Sequence, residues 1–264
     1  MTSRGGRKLN ARVTHNELSA VIITHNEEDN IRDCLESVKW ADEIVVLDSD
    51  SDDRTAEICR EYDIRFYNES WKGFSHQKNS AISKATKNWV LCLDADERVI
   101  PELRKEIESI LKSTNPKDGY FIPRKSFFLG RWIKHCGWYP DYNLRLFKKG
   151  KGFFKIREVH EAIDLNGSTG HMKNPLEHYT YKTISDYIQR LDHYSTLAAK
   201  ELLRENKIYG IHHIILKPLY TFINMYIIRL GLLEGYYGFM LSALYSFYTF
   251  SKYIKLRELQ VTKK

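Results

Sequence analysis

Acidic and polar side chains follow three short apolar runs in the first hundred residues. Residues 24–27 (THNE) come at the end of SAVIIT, residues 48–53 (DSDSDD) follow EIVVL, and residues 94–97 (DADE) follow WVLCL. Carboxylates grouped in this way repel one another unless a cation or the hydrogen-bond donors of a ligand face them. Because Mg²⁺ and Mn²⁺ bind through one or two carboxylates plus phosphate oxygens, the pattern predicts a site for a metal-bound diphosphate.

Other interpretations of the acidic clusters fit less well. A calcium-binding EF-hand loop needs glycine at its sixth position and glutamate at its twelfth, where this chain has Asp53 and Cys59. Neither DSDS nor DADE matches the DxDx[TV] pattern of hydrolases that use an aspartyl nucleophile. The sequence also lacks GxGxxG and GxxxxGK[ST], which disfavours dinucleotide binding and P-loop chemistry.

Alternating apolar runs and amphipathic stretches must position these clusters. Strands are predicted at residues 19–24, 43–47, 64–67 and 89–93, and helices at residues 30–40, 55–62, 75–86 and 101–112. Strands separated by helices of this length predict an α/β fold, with a mostly parallel sheet covered on both faces. Ligands of such sheets bind at the carboxyl ends of the strands, where the three clusters would converge.

The pattern changes twice further along the chain. Residues 119–181 contain short runs broken by Gly, Pro, Asn and Asp, which predict an antiparallel extension and loops. Helical periodicity returns at residue 185. We therefore predict a flexible basic N-terminus (1–17), an α/β domain (18–184, divided into halves at 118/119), a helical region (185–258) and a basic tail (259–264).

The apolar and aromatic stretch at residues 208–253 suggests contact with a membrane surface. Lys217, Arg229, Glu234 and Lys252 interrupt it, and its longest uncharged run, residues 235–251, is shorter than the about 20 apolar residues of a spanning helix. Tyrosine-rich, basic helices of this kind are expected to lie among lipid headgroups. A helical subdomain or a dimer interface with an aromatic core is the alternative.

Composition limits the class of protein. The 264 residues are 42% hydrophobic and 28% charged, which is typical of a globular chain with one catalytic-sized domain and an appendage. Four cysteines without CxxC spacing predict neither a disulfide scaffold nor a zinc ribbon, so reduced thiols are expected. Residues 1–12 lack the apolar segment of a signal peptide, and a cytosolic location is therefore expected.

Four motifs in succession, VIITHNE, VVLDSDSDDRT, GFSHQKNSAI and WVLCLDADE, resemble those of family 2 glycosyltransferases. That resemblance implies a GT-A fold with a Rossmann-like nucleotide-sugar domain, and inverting transfer of a sugar from a nucleotide diphosphate sugar. The later stretches WYPDYNLRLFKKGKGFF, REVHEAI and PLEHYTY are similar to the lipopolysaccharide core β-1,4-glucosyltransferase group of that family.

The resemblance implies roles for the first two clusters. Thr24, Asn26 and Glu27 are expected to line the nucleotide pocket. Asp48 is expected to hydrogen-bond the uracil, and Asp53 to support the same loop.

The resemblance extends to the third cluster and the helix before it. Lys78 and Asn79 match an Arg/Lys-Asn pair near the base and phosphates, and Asp94 and Asp96 match the DxD pair. Asp96 is the expected ligand of Mg²⁺ or Mn²⁺. Asp50 stands where this group usually has glycine, which leaves the conformation of that loop open.

An inverting transfer needs a base for the acceptor hydroxyl on the face opposite the diphosphate. Glu161 occupies the region where the family has its catalytic acid residue, Asp141 is the second candidate, and His160 would serve by its chemistry alone. His160 and Arg145 are alternatively predicted to contact phosphate or acceptor groups. His178 is a candidate for a further metal ligand.

The resemblance predicts that the protein transfers glucose from UDP-glucose to a lipopolysaccharide core or other lipid-linked acceptor, as a peripheral protein on the cytoplasmic membrane face. Residues 1–118 hold 18 basic and 23 acidic side chains, whereas residues 119–264 hold 23 and 11. The acidic half suits a cation and nucleotide, and the basic half suits an anionic glycolipid. The alternatives are a nucleotidyltransferase and a noncatalytic basic membrane-surface module. Nucleic acid is not an expected partner, because aromatic residues do not interleave with a basic stripe.

Overall fold

The computed structural model of the protein describes residues 16–155, 162–181, 183–205 and 209–262. Within these ranges ten strands form one sheet and two more pair separately. The strands are β1 (Leu18–Thr24), β2 (Glu43–Asp48), β3 (Arg65–Asn68), β4 (Trp89–Asp94), β5 (Glu97–Val99), β6 (Gly119–Phe128), β7 (Arg131–Trp132), β8 (Asp141–Lys148), β9 (Gly152–Phe154), β10 (Ile163–Leu165), β11 (Thr169–His171) and β12 (Leu176–Tyr181). The helices are α1 (Ile31–Val38), α2 (Thr55–Cys59), α3 (Phe74–Lys84), α4 (Pro101–Leu111), α5 (Ile184–Arg204), α6 (His212–Ile223) and α7 (Tyr236–Thr262).

One half of the sheet is parallel, in the order β3-β2-β1-β4. The continuous apolar runs of β1, β2 and β4 are buried on both faces, as expected for parallel strands that helices cover on both sides. Ile23 of β1 is level with Leu47 of β2 on one side and with Asp94 of β4 on the other. The strands therefore end at one edge, which confirms the predicted α/β architecture and brings the three polar clusters together.

The other half of the sheet is mixed and contains a strand that the sequence pattern did not reveal. β8 pairs antiparallel with β4 and β6, and β12 lies parallel to β6. The three-residue β5 then pairs antiparallel with β12, which places His178 level with Glu97. The backbone N–H of Tyr179 also donates to the carbonyl of Asp96 at 2.9 Å. This pairing joins two segments about eighty positions apart in the sequence.

Helices α5, α6 and α7 form the C-terminal region. α5 begins with a capping box, because Thr183 and Asp186 each accept the other's backbone N–H. Phe128 and Ile133 of the sheet region pack with Tyr187 of α5 and Leu241 of α7 in one apolar cluster. Among the described residues, no helix is both long and apolar enough to cross a membrane.

A buried carboxylate joins the C-terminal region to the loop after β7. Glu234 lies in a short 3₁₀ turn (Gly231–Glu234) and is 4% exposed. Its Oε1 accepts the backbone N–H groups of Lys134 and His135, at 3.0 and 3.1 Å, and contacts Nδ1 of His135 at 2.7 Å. Burial alone would raise the pKa of Glu234, but the His135 ring and the two backbone donors hold it below its usual value.

We expect Glu234→Gln to lower the free energy of unfolding by about 2 kcal/mol at neutral pH, because hydrogen bonds to a charged group are worth roughly 1.5–3 kcal/mol. A carboxylate whose folded pKa is depressed stabilises the fold above its unfolded pKa, near 4.3 for glutamate. The gap between wild type and variant should therefore narrow as the pH falls below that value. Urea denaturation across this pH range measures it, with Glu57→Gln in an exposed ion pair as the control. An unchanged gap at low pH would contradict the role of the ionised carboxylate.

Candidate active site

A cavity of about 830 Å³ opens at the carboxyl ends of β1, β2 and β4. Thr24, Glu27, Lys78, Asp94 and Asp96 line it, so five of the residues singled out in the sequence meet there. The end of β12 and one face of α5 form the opposite wall. The other lining residues are Ile23, His25, Ser49, Trp71, Phe74, Ala95, Arg124, His178, Thr180, Tyr181, Gln189, Arg190, His193 and Tyr194.

Asp94 ends β4 and is neutralised by two cations from other elements. Nζ of Lys78, on α3, lies 2.8 Å from Oδ1, and Nη2 of Arg145, on β8, lies 2.7 Å from Oδ2. Burial alone would raise the pKa of Asp94, but Arg145 and Lys78 hold it well below its usual value. Asp94 is therefore ionised, with both of its oxygens engaged.

Arg145 lies beneath the cavity and does not line it. Besides Asp94, its Nη2 contacts Oε1 of Glu97 at 2.6 Å, and both Arg145 and Glu97 are buried. Oε2 of Glu97 accepts the backbone N–H of Asp94 at 2.9 Å, and burial raises the pKa of this glutamate. The phosphate contact predicted for Arg145 stays a prediction; in the structure its Nη2 atom faces the carboxylates of Asp94 and Glu97.

Asp96 differs from Asp94 in having an oxygen without a partner. Oδ1 of Asp96 is buried and makes no hydrogen bond within the part of the chain that the structure describes. Oδ2 lies 3.4 Å from Nε2 of His178, whose Nδ1 lies 3.1 Å from Oγ of Ser126. A buried polar atom of this kind calls for a ligand.

The residues around Asp96 fit a divalent cation. Mg²⁺ and Mn²⁺ prefer oxygen ligands, and a protein often supplies only one or two of them when phosphate oxygens and water complete the shell. The free Oδ1 of Asp96 is such a ligand, and Nε2 of His178 stands beside it. Within the described ranges, no cluster of three or more His, Cys, Asp or Glu side chains is suited to hold a metal.

Two hydroxyl groups at the ends of the first strands also lack partners. Oγ1 of Thr24 and Oγ of Ser49 are buried and line the cavity without a hydrogen bond to any described residue. His25 also lines the cavity, and its Nδ1 lies 2.7 Å from the carbonyl oxygen of Ser49. These hydroxyls are available to a polar ligand.

Four of the predicted nucleotide-binding residues build loops and do not line the cavity. Both oxygens of Asp48 bond to Ser51, and Oδ1 of Asn26 accepts the backbone N–H of Asp52. Asp53 accepts the backbone N–H groups of Glu28, which precedes α1, and of Thr55, at the start of α2. Burial alone would raise the pKa of Asp53, but the Thr55 hydroxyl and these two bonds lower it. The side chain of Asn79 bonds both backbone groups of Phe154. Their predicted ligand contacts would require these bonds to rearrange.

The loop after β2 explains the unusual Asp50. Its φ is +55°, in the left-handed region, which glycine adopts at no steric cost and aspartate tolerates better than most residues. The backbone N–H of Asp50 donates to Oδ1 of Asn68, and Nδ2 of Asn68 donates back to Oδ1 of Asp50. The conformation that glycine would favour is thus kept here by a reciprocal pair of side-chain bonds.

Of the three candidate bases, the described residues include Asp141. Glu161 and His160 lie outside the described residues. Asp141 begins β8 and does not line the cavity; its Oδ2 accepts Nε and Nη2 of Arg124, at 3.0 and 2.6 Å. Arg124 itself lines the cavity, so this pair stands at the cavity's edge with the arginine toward the ligand.

One wall of the cavity was missed in the sequence. Gln189, Arg190, His193 and Tyr194 project from α5 at helical spacing, on the far side of the boundary predicted near residue 184. Arg190 also lies over the ring of Tyr181, 5.5 Å from its centroid. A polar stripe on an otherwise amphipathic helix was the available signal. The helical region therefore contributes to the site as well as flanking it.

The sheet topology, together with a cavity at the strand ends, is that of the GT-A fold. The structure of the mannosyltransferase PcManGT from Pyrobaculum calidifontis in complex with GDP-Man and Mn²⁺ matches 91% of this chain and 86% of its own, with a TM-score of 0.51 and 15% identity. At that identity the match establishes the fold alone.

Sequence comparison identifies the family. The family described as Glycosyl transferase family 2 matches residues 19–166. The chain is 32% identical over 251 residues to the lipopolysaccharide core biosynthesis glycosyltransferase LpsC of Rhizobium meliloti (strain 1021), covering 89% of this chain and 91% of that relative. It is 29% identical over 258 residues to an uncharacterized glycosyltransferase, RT0209, of Rickettsia typhi, covering 93% and 88%. The chain belongs to glycosyl transferase family 2, which confirms the resemblance read from its motifs.

Proposed function

We propose that the protein is an inverting, metal-dependent hexosyltransferase. It transfers glucose from UDP-glucose to a lipopolysaccharide core or other lipid-linked saccharide, as a peripheral protein at the cytoplasmic face of the membrane. The observation that carries the proposal is the buried Oδ1 of Asp96, which has no partner among the described residues, beside an Asp94 that Lys78 and Arg145 neutralise in the floor of the cavity. Family membership makes glycosyl transfer the class of reaction, so the nucleotidyltransferase and noncatalytic alternatives are dropped.

The donor fits the cavity by size and chemistry. A volume of about 830 Å³ is within the roughly 300–1,000 Å³ of small-molecule sites. The hydroxyls of Thr24 and Ser49 offer hydrogen bonds to a base or ribose, and Trp71 and Phe74 offer aromatic faces at the rim. In the related GT-A structure, the donor is GDP-Man with Mn²⁺.

Asp96 would hold Mg²⁺ or Mn²⁺, with His178 as the neighbouring group, and the cation would neutralise charge on the leaving diphosphate. Lys78 and Arg145 fix Asp94 so that it adds no uncompensated negative charge to the site. Of these two aspartates, it is therefore Asp96 that keeps an oxygen without a partner among the described residues. This division of roles between two aspartates is the electrostatic basis of the proposed donor site.

The acceptor hydroxyl requires a base opposite the diphosphate, because inversion is a single in-line displacement. Glu161 remains the first candidate. Asp141 is the second, although its ion pair with Arg124 would have to open before Oδ2 faced an acceptor. Arg124 and Arg190 give this wall a cationic character that suits a phosphorylated saccharide. The name of the relative LpsC supports an acceptor of the lipopolysaccharide core type.

A donor screen by thermal stabilisation tests the proposal. With Mn²⁺ present, we expect UDP-glucose to raise the melting temperature more than UDP-galactose, UDP-N-acetylglucosamine or GDP-mannose does. A ligand that binds only the folded state at 100 times its Kd adds about 2.7 kcal/mol to stability. Removing the metal with EDTA should abolish most of the shift.

Transfer of labelled glucose with release of UDP then tests the reaction. Release of pyrophosphate would contradict glycosyl transfer. A larger shift with GDP-mannose would overturn the proposed donor while leaving the reaction class intact.

A further inference from the structure

Apolar side chains cover α6 and the turns that follow it. Ile215 is 66% exposed, Ile228 63% and Tyr236 71%, and other exposed apolar side chains lie between them along residues 211–239. We call this set of exposed apolar side chains the apolar face. Soluble monomers rarely expose a contiguous apolar surface of more than a few hundred Å². Such a surface requires an occupant.

The charges around the apolar face favour an anionic occupant. Between residues 209 and 257 the acidic side chain is Glu234, which is 4% exposed and bonded to the loop after β7. Lys217 and Arg229 are exposed at the face itself. A surface that combines exposed aliphatic and tyrosine side chains with basic groups, and exposes no carboxylate, is complementary to anionic lipid headgroups.

The geometry of α6 favours a lipid surface over a second copy of the chain. Ile211, Ile215 and Leu219 are spaced four residues apart, and Leu216, Tyr220 and Ile223 lie beside them, so most of the exposed surface of the helix is apolar; its exposed polar side chains are His212 and Lys217. The twelve residues of α6 span about 18 Å, too short to cross a bilayer but suited to lying in its interface. A self-associating face would bring the Lys217 and Arg229 groups of two copies together without carboxylates to pair them.

We propose that the apolar face is a membrane-docking surface for an anionic lipid leaflet. This inference deepens the proposed function. What it says about the acceptor rests on that function. Docking would bury the exposed aliphatic side chains among the acyl chains at the headgroup boundary. Lys217 and Arg229 would meet lipid phosphates.

The helix packing links this surface to the cavity. α7 contacts α6, where Oγ of Ser246 donates to the carbonyl of Pro218, and it contacts α5, where Nζ of Lys255 lies 2.6 Å from Oδ1 of Asp192. Packed helices are about 8–10 Å apart, so the axes of α6 and α5 are separated laterally by two such steps across α7, about 16–20 Å. The acceptor class that fits is a glycan still attached to its lipid in the same leaflet.

Vesicle co-sedimentation of the full chain tests this proposal without donor or acceptor. The probes are vesicles of phosphatidylcholine alone and of phosphatidylcholine with phosphatidylglycerol. We expect the wild-type chain to bind preferentially to the anionic vesicles. I215S/L219S should lose about 100-fold in affinity for them, because two aliphatic side chains no longer enter the lipid. Lys217→Gln should lose about fivefold in affinity. The control I188S/V261S removes two equally apolar side chains exposed elsewhere on α5 and α7, and should bind as wild type does.

Three outcomes would overturn the docking surface. The first is an equal loss of vesicle binding in I188S/V261S and I215S/L219S. The second is vesicle binding by I215S/L219S that is as tight as that of wild type. The third is a wild-type dimer that I215S/L219S converts to a monomer, with no vesicle binding by either, which would assign the face to a second copy. Because vesicle binding needs no sugar transfer, failure of the proposed reaction leaves this test intact.

Discussion

Asp96→Asn is expected to lower kcat for sugar transfer by about 10²–10³-fold, the usual cost of losing one group that stabilises developing charge. The substitution keeps the size of the side chain but removes the negative charge from the one DxD carboxylate whose buried oxygen has no partner among the described residues. Transfer of labelled glucose from UDP-glucose, measured against Mn²⁺ concentration, gives the effect on kcat and on metal dependence separately.

The matched control is Asp63→Asn, which removes the same charge from an exposed aspartate in the turn after α2. It should retain wild-type kinetics. The free energy of unfolding of both variants should be within about 1 kcal/mol of wild type, since each substitution keeps the size of the side chain and opens no cavity. Full activity of Asp96→Asn, or an unchanged dependence on Mn²⁺, would rule out the proposed role of this carboxylate.

Arg145→Met is expected to lower the free energy of unfolding by about 3–5 kcal/mol, the cost of removing one partner from a buried ion pair. The variant leaves Glu97, which is fully buried, and Asp94 without the guanidinium that bridges them. Urea denaturation measures the loss. Arg32→Met serves as the control, because its ion pair with Glu61 is solvent-exposed and should contribute little.

The double variant R145M/E97Q separates a buried structural cation from a phosphate clamp. Removing the charge of Glu97 as well should restore part of the lost stability, since the uncompensated carboxylate is then gone. If Arg145 instead acted on the donor phosphates, Arg145→Met would unfold like Arg32→Met while KM for the donor rose. That result would support the predicted phosphate contact of Arg145.

Much of the fold was predictable because the N-terminal half follows local periodicity. Strands β1, β2 and β4 begin and end within one residue of their predicted positions, and α4 starts at the predicted proline, Pro101. Buried parallel strands are continuous apolar runs, and the helices between them carry amphipathic patterns. β5 was missed because three residues after the DxD motif carry no periodic signal of their own.

The site was predictable only where strand ends determine it. Thr24 and Asp96 reach the cavity because they terminate strands or follow them directly. Asp48 and Asn79 do not line it, because their side chains bond to nearby backbone or hydroxyl groups that a sequence motif does not reveal. The contribution of α5 depends on how a helix more than ninety residues from the DxD motif packs against the sheet.

The sequence by itself determined the α/β class, the family and the clustering of carboxylates at the strand ends, because each follows from local periodicity or from motif order. Only the tertiary structure decided which of two aspartates, separated by one alanine, keeps a free oxygen. Lys78 and Arg145 reach Asp94 from α3 and β8, whereas the pairing of β5 with β12 brings His178 to Asp96. These partners are distant in sequence, so sheet order and helix packing determine which groups each carboxylate contacts.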